Sequence, residues 1–210
     1  MTIRVFDASR DSAGVLGLWE RALPAYPIQP NTFLQRTAGN QNYRHGDGLL
    51  AVAGRRIIGF ALAEVVRPTG APAAGTAHLA VLLVAPEARR QGVGRALLTA
   101  LETQLRAAGC TKVVLGRGPA RFWTGVPEDL PEATAFFQHL GYTATSRACD
   151  LVVPLRNYAA SLRYQDRLKA AGAEVVSATP ALLPALLEFE YREFAGWAPG
   201  ILRLAANGDL

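Results

Sequence analysis

The chain has 210 residues, 50% of them hydrophobic and 19% charged, with a formal net charge of +5. That length suits one ordinary domain plus an extension, with a core large enough to need no disulfide or metal staple. Only two of the 22 basic residues, Lys112 and Lys169, are lysines, and the arginines do not alternate with aromatics in any patch, so nucleic acid is not an expected partner.

The two cysteines, Cys110 and Cys149, lie in no CxxC or Cys/His cluster. No zinc site is expected, and each cysteine reads as a small buried hydrophobe in a reducing cytoplasm. The opening "TIRVFDASRD" is not a signal peptide. The run "AHLAVLLVA" is far shorter than the roughly 20 residues that span a bilayer, so a soluble protein without a membrane partner is expected.

Residues 2–6 read as a strand. "SRDSAGVLGLWERAL" has Val15, Leu16, Trp19 and Leu23 at helical spacing. Asn31 can cap a second helix, "TFLQRT", and a loop follows. "LLAVAGRRIIGFALAEVV" reads as two strands joined at Gly54-Arg55-Arg56, then a longer turn through residues 67–75. "TAHLAVLLV" reads as a central strand stopped by Pro86, which has no N–H for a ladder. A helix to about Ala108 and a buried strand, "CTKVVLG", come next. After the loop "RGPARFWTGVPED" comes a helix, "LPEATAFFQHLG", with Pro131 in its first turn. Residues 142–155 read as a final strand. The expected class is α/β, with helices flanking a mixed, mainly antiparallel sheet.

Between the apolar strand and its helix lies "ARRQGVGRALL". A helix N-terminus exposes unpaired N–H groups and carries partial positive charge. Gly92 and Gly94 let an anion approach the backbone, and Arg89, Arg90 and Arg95 add charge. Successive N–H groups from Gln91 through Val93 to Arg95 can cradle a pyrophosphate. No GxxxxGK[ST] loop is present, and no GxGxxG follows the first strand.

"LLVAPEARRQGVGRALL" resembles the acyl-CoA motif of the GNAT superfamily of N-acyltransferases. Arg89, Gly92 and Gly94 fill the fixed positions of R/Q-x-x-G-x-G/A. The element order of residues 2–155 and "AFFQHLGY" resemble the same fold. The resemblance implies acetyl-CoA as cosubstrate, no metal, and a splay between the fourth and fifth strands. It places the pantetheine arm on the backbone of Leu82, Leu83 and Val84 as an added strand, and the pyrophosphate on residues 90–95. An N–H near Leu83 or Val84 then polarises the thioester carbonyl.

Acyl transfer to an amine needs a base, alignment and a proton for the leaving thiol. His78 is the first candidate base, because alternation puts His78, Ala80, Leu82 and Val84 on one face. Histone-type members of the superfamily carry a glutamate base at this position. Glu64, on the neighbouring strand, is the second candidate, while His45 and His139 read as surface residues. The family's tyrosine proton donor falls on Phe137, which cannot donate. Tyr26 and Trp123 are candidate acceptor-binding residues, and Glu128 or Asp129 can meet an amine. "TGVPEDLPEATAFFQHLGY" resembles tandem GNAT proteins that acetylate amino sugars. The expected reaction is acetyl transfer from acetyl-CoA to a primary amine of a small molecule. A protein lysine or N-terminal acetyltransferase is one alternative, and a non-catalytic acyl-CoA-binding domain is another.

Residues 1–156 are the expected catalytic domain. In residues 157–210, a connecting helix leads to a strand, "AEVVSA", and a helix capped by Thr179 with Pro180 behind it. Shifted by 171 positions, Val5, Leu16, Arg21, Leu23 and Tyr26 fall on Val176, Leu187, Arg192, Phe194 and Trp197. The tail therefore reads as the beginning of a second GNAT-like unit, strand-helix-helix. Either the chain is part of a longer tandem protein, or "AEVVSA" completes the first domain's sheet.

Overall fold

The computed structural model describes residues 1–40, 42–65, 75–149, 152–154, 156, 158–159, 162–194 and 197–208. They fall into two compact units, Met1–Asp150 and Leu151–Leu210.

In the first unit, β1 (Thr2–Val5) leads into α1 (Ala8–Ala22) and α2 (Pro30–Arg36). The Asp7 side chain caps α1 by accepting from the Ser9 N–H at 2.9 Å. The face that α1 buries is Val15, Leu18, Trp19 and Ala22; Leu16 and Leu23 are only partly covered. Asn31 does not cap α2. The cap position is Gln29, which makes no side-chain cap bond, and Pro30 opens the helix with its φ already helical.

Asp11 is buried and receives two 2.7 Å hydrogen bonds from Arg4 of β1 and one of 2.9 Å from the Asp7 N–H. Arg4, foremost, holds its carboxyl below the ordinary aspartate value. A folded-state pKa below the unfolded one gives stability that is whole above the unfolded pKa and lost as pH falls through the folded one. Asp11→Asn should therefore cost about 1–3 kcal/mol at pH 7. In thermal melts, its Tm deficit should shrink as pH is taken below about 4.

β2 (Gly48–Ala53) and β3 (Arg56–Val65) form a hairpin whose turn begins at Gly54, φ +58°. β4 (Thr76–Val84) pairs antiparallel with β3, and β5 (Lys112–Leu115) pairs parallel with β4. The sheet order is β1-β2-β3-β4-β5, so β3 is central and β4 is interior. A short 3₁₀ turn, Pro86–Ala88, joins β4 to α3 (Val93–Ala107), and α4 (Pro131–His139) follows β5. A mainly antiparallel sheet flanked by helices is the expected class.

Several expectations fail locally. Residues 143–149 are exposed and join no strand. "TATSRAC" is polar and has no apolar alternation to bury against a neighbour. β5 is half-buried rather than buried, and Cys149 is exposed, whereas Cys110 is buried. The turn expected at 67–75 lies outside the described residues up to position 74.

The second unit holds α5 (Leu162–Ala170), a 3₁₀ turn at Pro180–Leu182, α6 (Leu183–Glu193) and α7 (Ala198–Asn207). "AEVVSA" forms no strand, with Val175 81% and Val176 59% exposed. Thr179 sits at the cap position of the 3₁₀ turn without a side-chain cap bond. No described helix is long and apolar enough to cross a membrane.

Candidate active site

The last rung between β4 and β5 is the Gly116 N–H to the Leu79 carbonyl, 2.9 Å. Beyond it β5 has ended while β4 runs on to Val84. The strands fork here. Ala85 donates to the Ile58 carbonyl at 2.9 Å, so by alternation Leu83 turns its peptide groups toward β3. Leu82 and Val84 turn theirs to the open side of the fork. Leu83, expected as a backbone partner of the pantetheine arm, is thus occupied by the sheet, and the free N–H groups at this end of β4 are those of Leu82 and Val84.

At the end of β4 the chain passes two left-handed residues, Arg90 (φ +60°) and Gly92 (φ +82°), and enters α3. The Gly92 carbonyl accepts from the Ala96 N–H at 2.9 Å, leaving the N–H groups of Val93, Gly94 and Arg95 without partners within the helix. A Cβ on Gly92 would meet nothing within 4 Å. Arg90 and Arg95 are exposed at this rim. Gln91 folds back, donating to the Glu87 carbonyl at 2.8 Å. The donors, charge and open space fit a diphosphate.

Arg89 is built differently from the reading of the motif. Its guanidinium donates to the Ala22 carbonyl at 2.9 Å and to the Val84 carbonyl at 3.4 Å. It ties the end of α1 to the end of β4.

His78 and Glu64 are directly opposed residues of β4 and β3, hence on one face of the sheet. His78 Nδ1 lies 2.9 Å from the Gly116 carbonyl. A carbonyl only accepts, so Nδ1 carries a proton, and in the neutral ring the lone pair is on Nε2. Glu64 is 3% exposed; its Oε2 accepts from the Ala120 N–H at 2.6 Å, and its Oε1 has no hydrogen-bond partner among the described residues. Burial pushes its carboxyl above the usual range, opposed by the Ala120 N–H and by Arg36. The expected alternation from His78 to Val84 is broken, because the β3–β4 register shifts where Leu62 pairs Val81 and Ala63 pairs Leu79. His45 and His139 are exposed, as expected.

Trp123 stacks on Trp19, with centroids 6.1 Å apart and an interplanar angle of 10°, and meets Tyr26 edge-on at 5.3 Å. The Tyr26 hydroxyl donates to Asp129, an acceptor that raises its pKa. Glu128 is paired with Arg147 at 2.6 Å. Tyr26 and Trp123 line a trough of about 1320 Å³ running beside β5. Phe137 is buried, edge-on to Phe136 and Tyr142. The Tyr142 hydroxyl donates to Glu102 at 2.7 Å, and burial, with that acceptor, pushes its pKa up. Neither of these residues supplies an easily released proton. Among the described residues, no group of three or more His, Cys, Asp or Glu is arranged to hold a metal.

Sequence reasoning missed Arg36, whose guanidinium lies over the Phe122 ring at 5.6 Å. It also missed Phe136, whose ring edge would lie 3.4 Å from a Cβ on Gly94. Both come from segments remote in sequence, with no local signal.

A family model described as the acetyltransferase (GNAT) family matches residues 15–142. No curated protein matches the chain. Among solved structures, it is similar to a fungal multi-domain beta-N-acetylglucosaminidase with a GCN5-related glucosamine N-acetyltransferase region. The TM-score is 0.80 at 22% identity, over 99% of this chain and 25% of that one. The chain thus spans about a quarter of that neighbour. It is also similar to the ribosomal-protein-S18-alanine N-acetyltransferase of Escherichia coli, with a TM-score of 0.55 at 24% identity over 69% of this chain and 79% of that one. An aminoglycoside N-acetyltransferase in complex with CoA gives 0.53 at 20% identity, over 72% of this chain and 93% of that one. At these identities the likeness is one of fold.

Proposed function

The chain belongs to the acetyltransferase (GNAT) family of acetyl-CoA-dependent N-acetyltransferases, and from that premise we propose that its acceptor is the primary amine of a small molecule, an amino sugar or a close relative. The observation that carries this reading is the aromatic pair Trp123 and Tyr26 lining the trough beside β5, with Trp123 backed by the buried Trp19. Such faces suit the apolar side of a sugar ring, and Asp129, on Tyr26, adds a carboxylate for a cationic group. Two of the similar structures carry amino-sugar or aminoglycoside acetylation in their descriptions, which supports the choice.

Bound acetyl-CoA supplies the activated acetyl thioester. Residues 90–95 would hold its diphosphate, and the open peptide groups of Leu82 with the Val84 N–H would align the arm. His78 Nε2 takes the proton from the attacking amine, while the Gly116 carbonyl keeps the ring oriented. With phenylalanine at 137, proton handling rests on His78 and solvent.

The test is release of free thiol from acetyl-CoA, screened against amino sugars, aminoglycosides, polyamines and peptides. Turnover confined to amino sugars is the expected result. Turnover of peptides alone would replace the small-molecule reading with a protein acetyltransferase.

A further inference from the structure

Both residues singled out as bases hold the same loop. As β5 ends, residues 116–123 turn through three left-handed conformations: Gly116 (φ +69°), Arg117 (φ +56°) and Arg121 (φ +54°). Arginine has a Cβ and resists that region, so the two arginines stay there only because their surroundings hold them. The loop closes on itself through the Arg117 N–H to the Trp123 carbonyl, 2.7 Å, and the Arg121 N–H to the Gly118 carbonyl, 2.9 Å. Besides the Gly116 N–H rung to Leu79, two side chains of the sheet hold it, His78 at the Gly116 carbonyl and Glu64 at the Ala120 N–H.

The Glu64 tie is a fitted contact. A Cβ on Gly118 would stand 2.7 Å from Glu64 Oε2, so a larger residue there would force the carboxylate to shift from its place under the loop. Ala120 and Phe122 are buried beside it, and Arg36 covers the Phe122 ring. The next residue is Trp123, already stacked on Trp19.

We propose that Glu64 is a positioning residue: through the Ala120 N–H and the Gly118 contact it holds the 116–123 loop in its strained form, and so fixes Trp123 against Trp19 as a rigid face for a small amine acceptor. The acceptor part of this rests on the proposed function; the loop part stands on the geometry alone. Proton transfer is not the task of Glu64. A carboxamide oxygen accepts from the Ala120 N–H as a carboxylate oxygen does, so glutamine can fill the role.

The experiment compares Glu64→Gln, Glu64→Ala and Gly118→Ala in the full chain by two readouts. One is the near-ultraviolet circular dichroism of the stacked Trp19–Trp123 pair, which needs no acceptor. The other is the split of acceptor KM from kcat. Glu64→Gln should keep the tryptophan signal and the acceptor KM. Glu64→Ala and Gly118→Ala should lose the signal and raise acceptor KM about tenfold or more, with KM for acetyl-CoA within about twofold, as for loss of a binding contact worth about one factor of ten. A Glu64→Gln variant that keeps the signal but loses kcat a hundredfold overturns the proposal, because Glu64 would then be the base. An unchanged signal in both alanine variants overturns it as well. Should no amine prove to be an acceptor, the dichroism still decides the loop part, and only the acceptor reading falls.

Discussion

Gly94→Glu should lower the affinity for acetyl-CoA at least a hundredfold while the protein stays folded. Gly94 lies in the first turn of α3. A Cβ there would stand 3.4 Å from Phe136 Cζ and Val84 Cγ2, an ordinary contact, so the first added carbon is accommodated. The first turn has no acidic residue, and a carboxylate at a helix N-terminus stabilises the helix by about 0.3–1 kcal/mol. The same carboxylate would stand among the N–H groups that receive the diphosphate, opposing it by charge and bulk. A hundredfold corresponds to about 2.7 kcal/mol. Titration calorimetry measures it, and a thermal melt confirms the fold. Unchanged affinity would remove the cradle from residues 90–95.

His78→Ala should reduce kcat by about 10²–10⁴-fold, the range for loss of a positioned base, with acetyl-CoA affinity changed by less than about threefold. The variant removes both Nε2 and the Nδ1 tie to the Gly116 carbonyl, so rescue separates the two. Added imidazole should restore part of the rate, since it returns a base without restoring the tie to Gly116. Retention of more than about a tenth of the rate would move the base elsewhere.

The strand-helix boundary at residues 84–93 was legible because its signals are local: an apolar run, a proline, then glycines where the chain turns left-handed. The depth at which Glu64 lies was not. One carboxylate among the apolar residues of "FALAEVV" does not say how far it is buried, but β3 is central and its residues 59–65 are all buried. Ala80 hides the break in alternation for a similar reason: in "LAVLL" every residue is apolar, so a slipped register leaves no mark on the pattern. Arg89 shows a different limit. Its motif position reads as charge for a phosphate, while its carbonyl partner at Ala22 lies 67 residues away. The apolar "VV" pairs at 152–153 and 175–176 have strand composition, yet both pairs are exposed and join no ladder. Composition favours a strand, and only a neighbour makes one.

Sheet order follows chain order, from β1 to β5. The β2–β3 hairpin closes across a two-residue turn, whereas the β4–β5 pair needs α3 to be laid down between its strands. Loop-closure entropy therefore favours early formation of the hairpin and late docking of β5. The fork exists only once β5 is in place, so the binding competence of this chain is gained at the end of its folding. By the same route it is the part most readily surrendered by partial opening, while the hairpin beneath it survives.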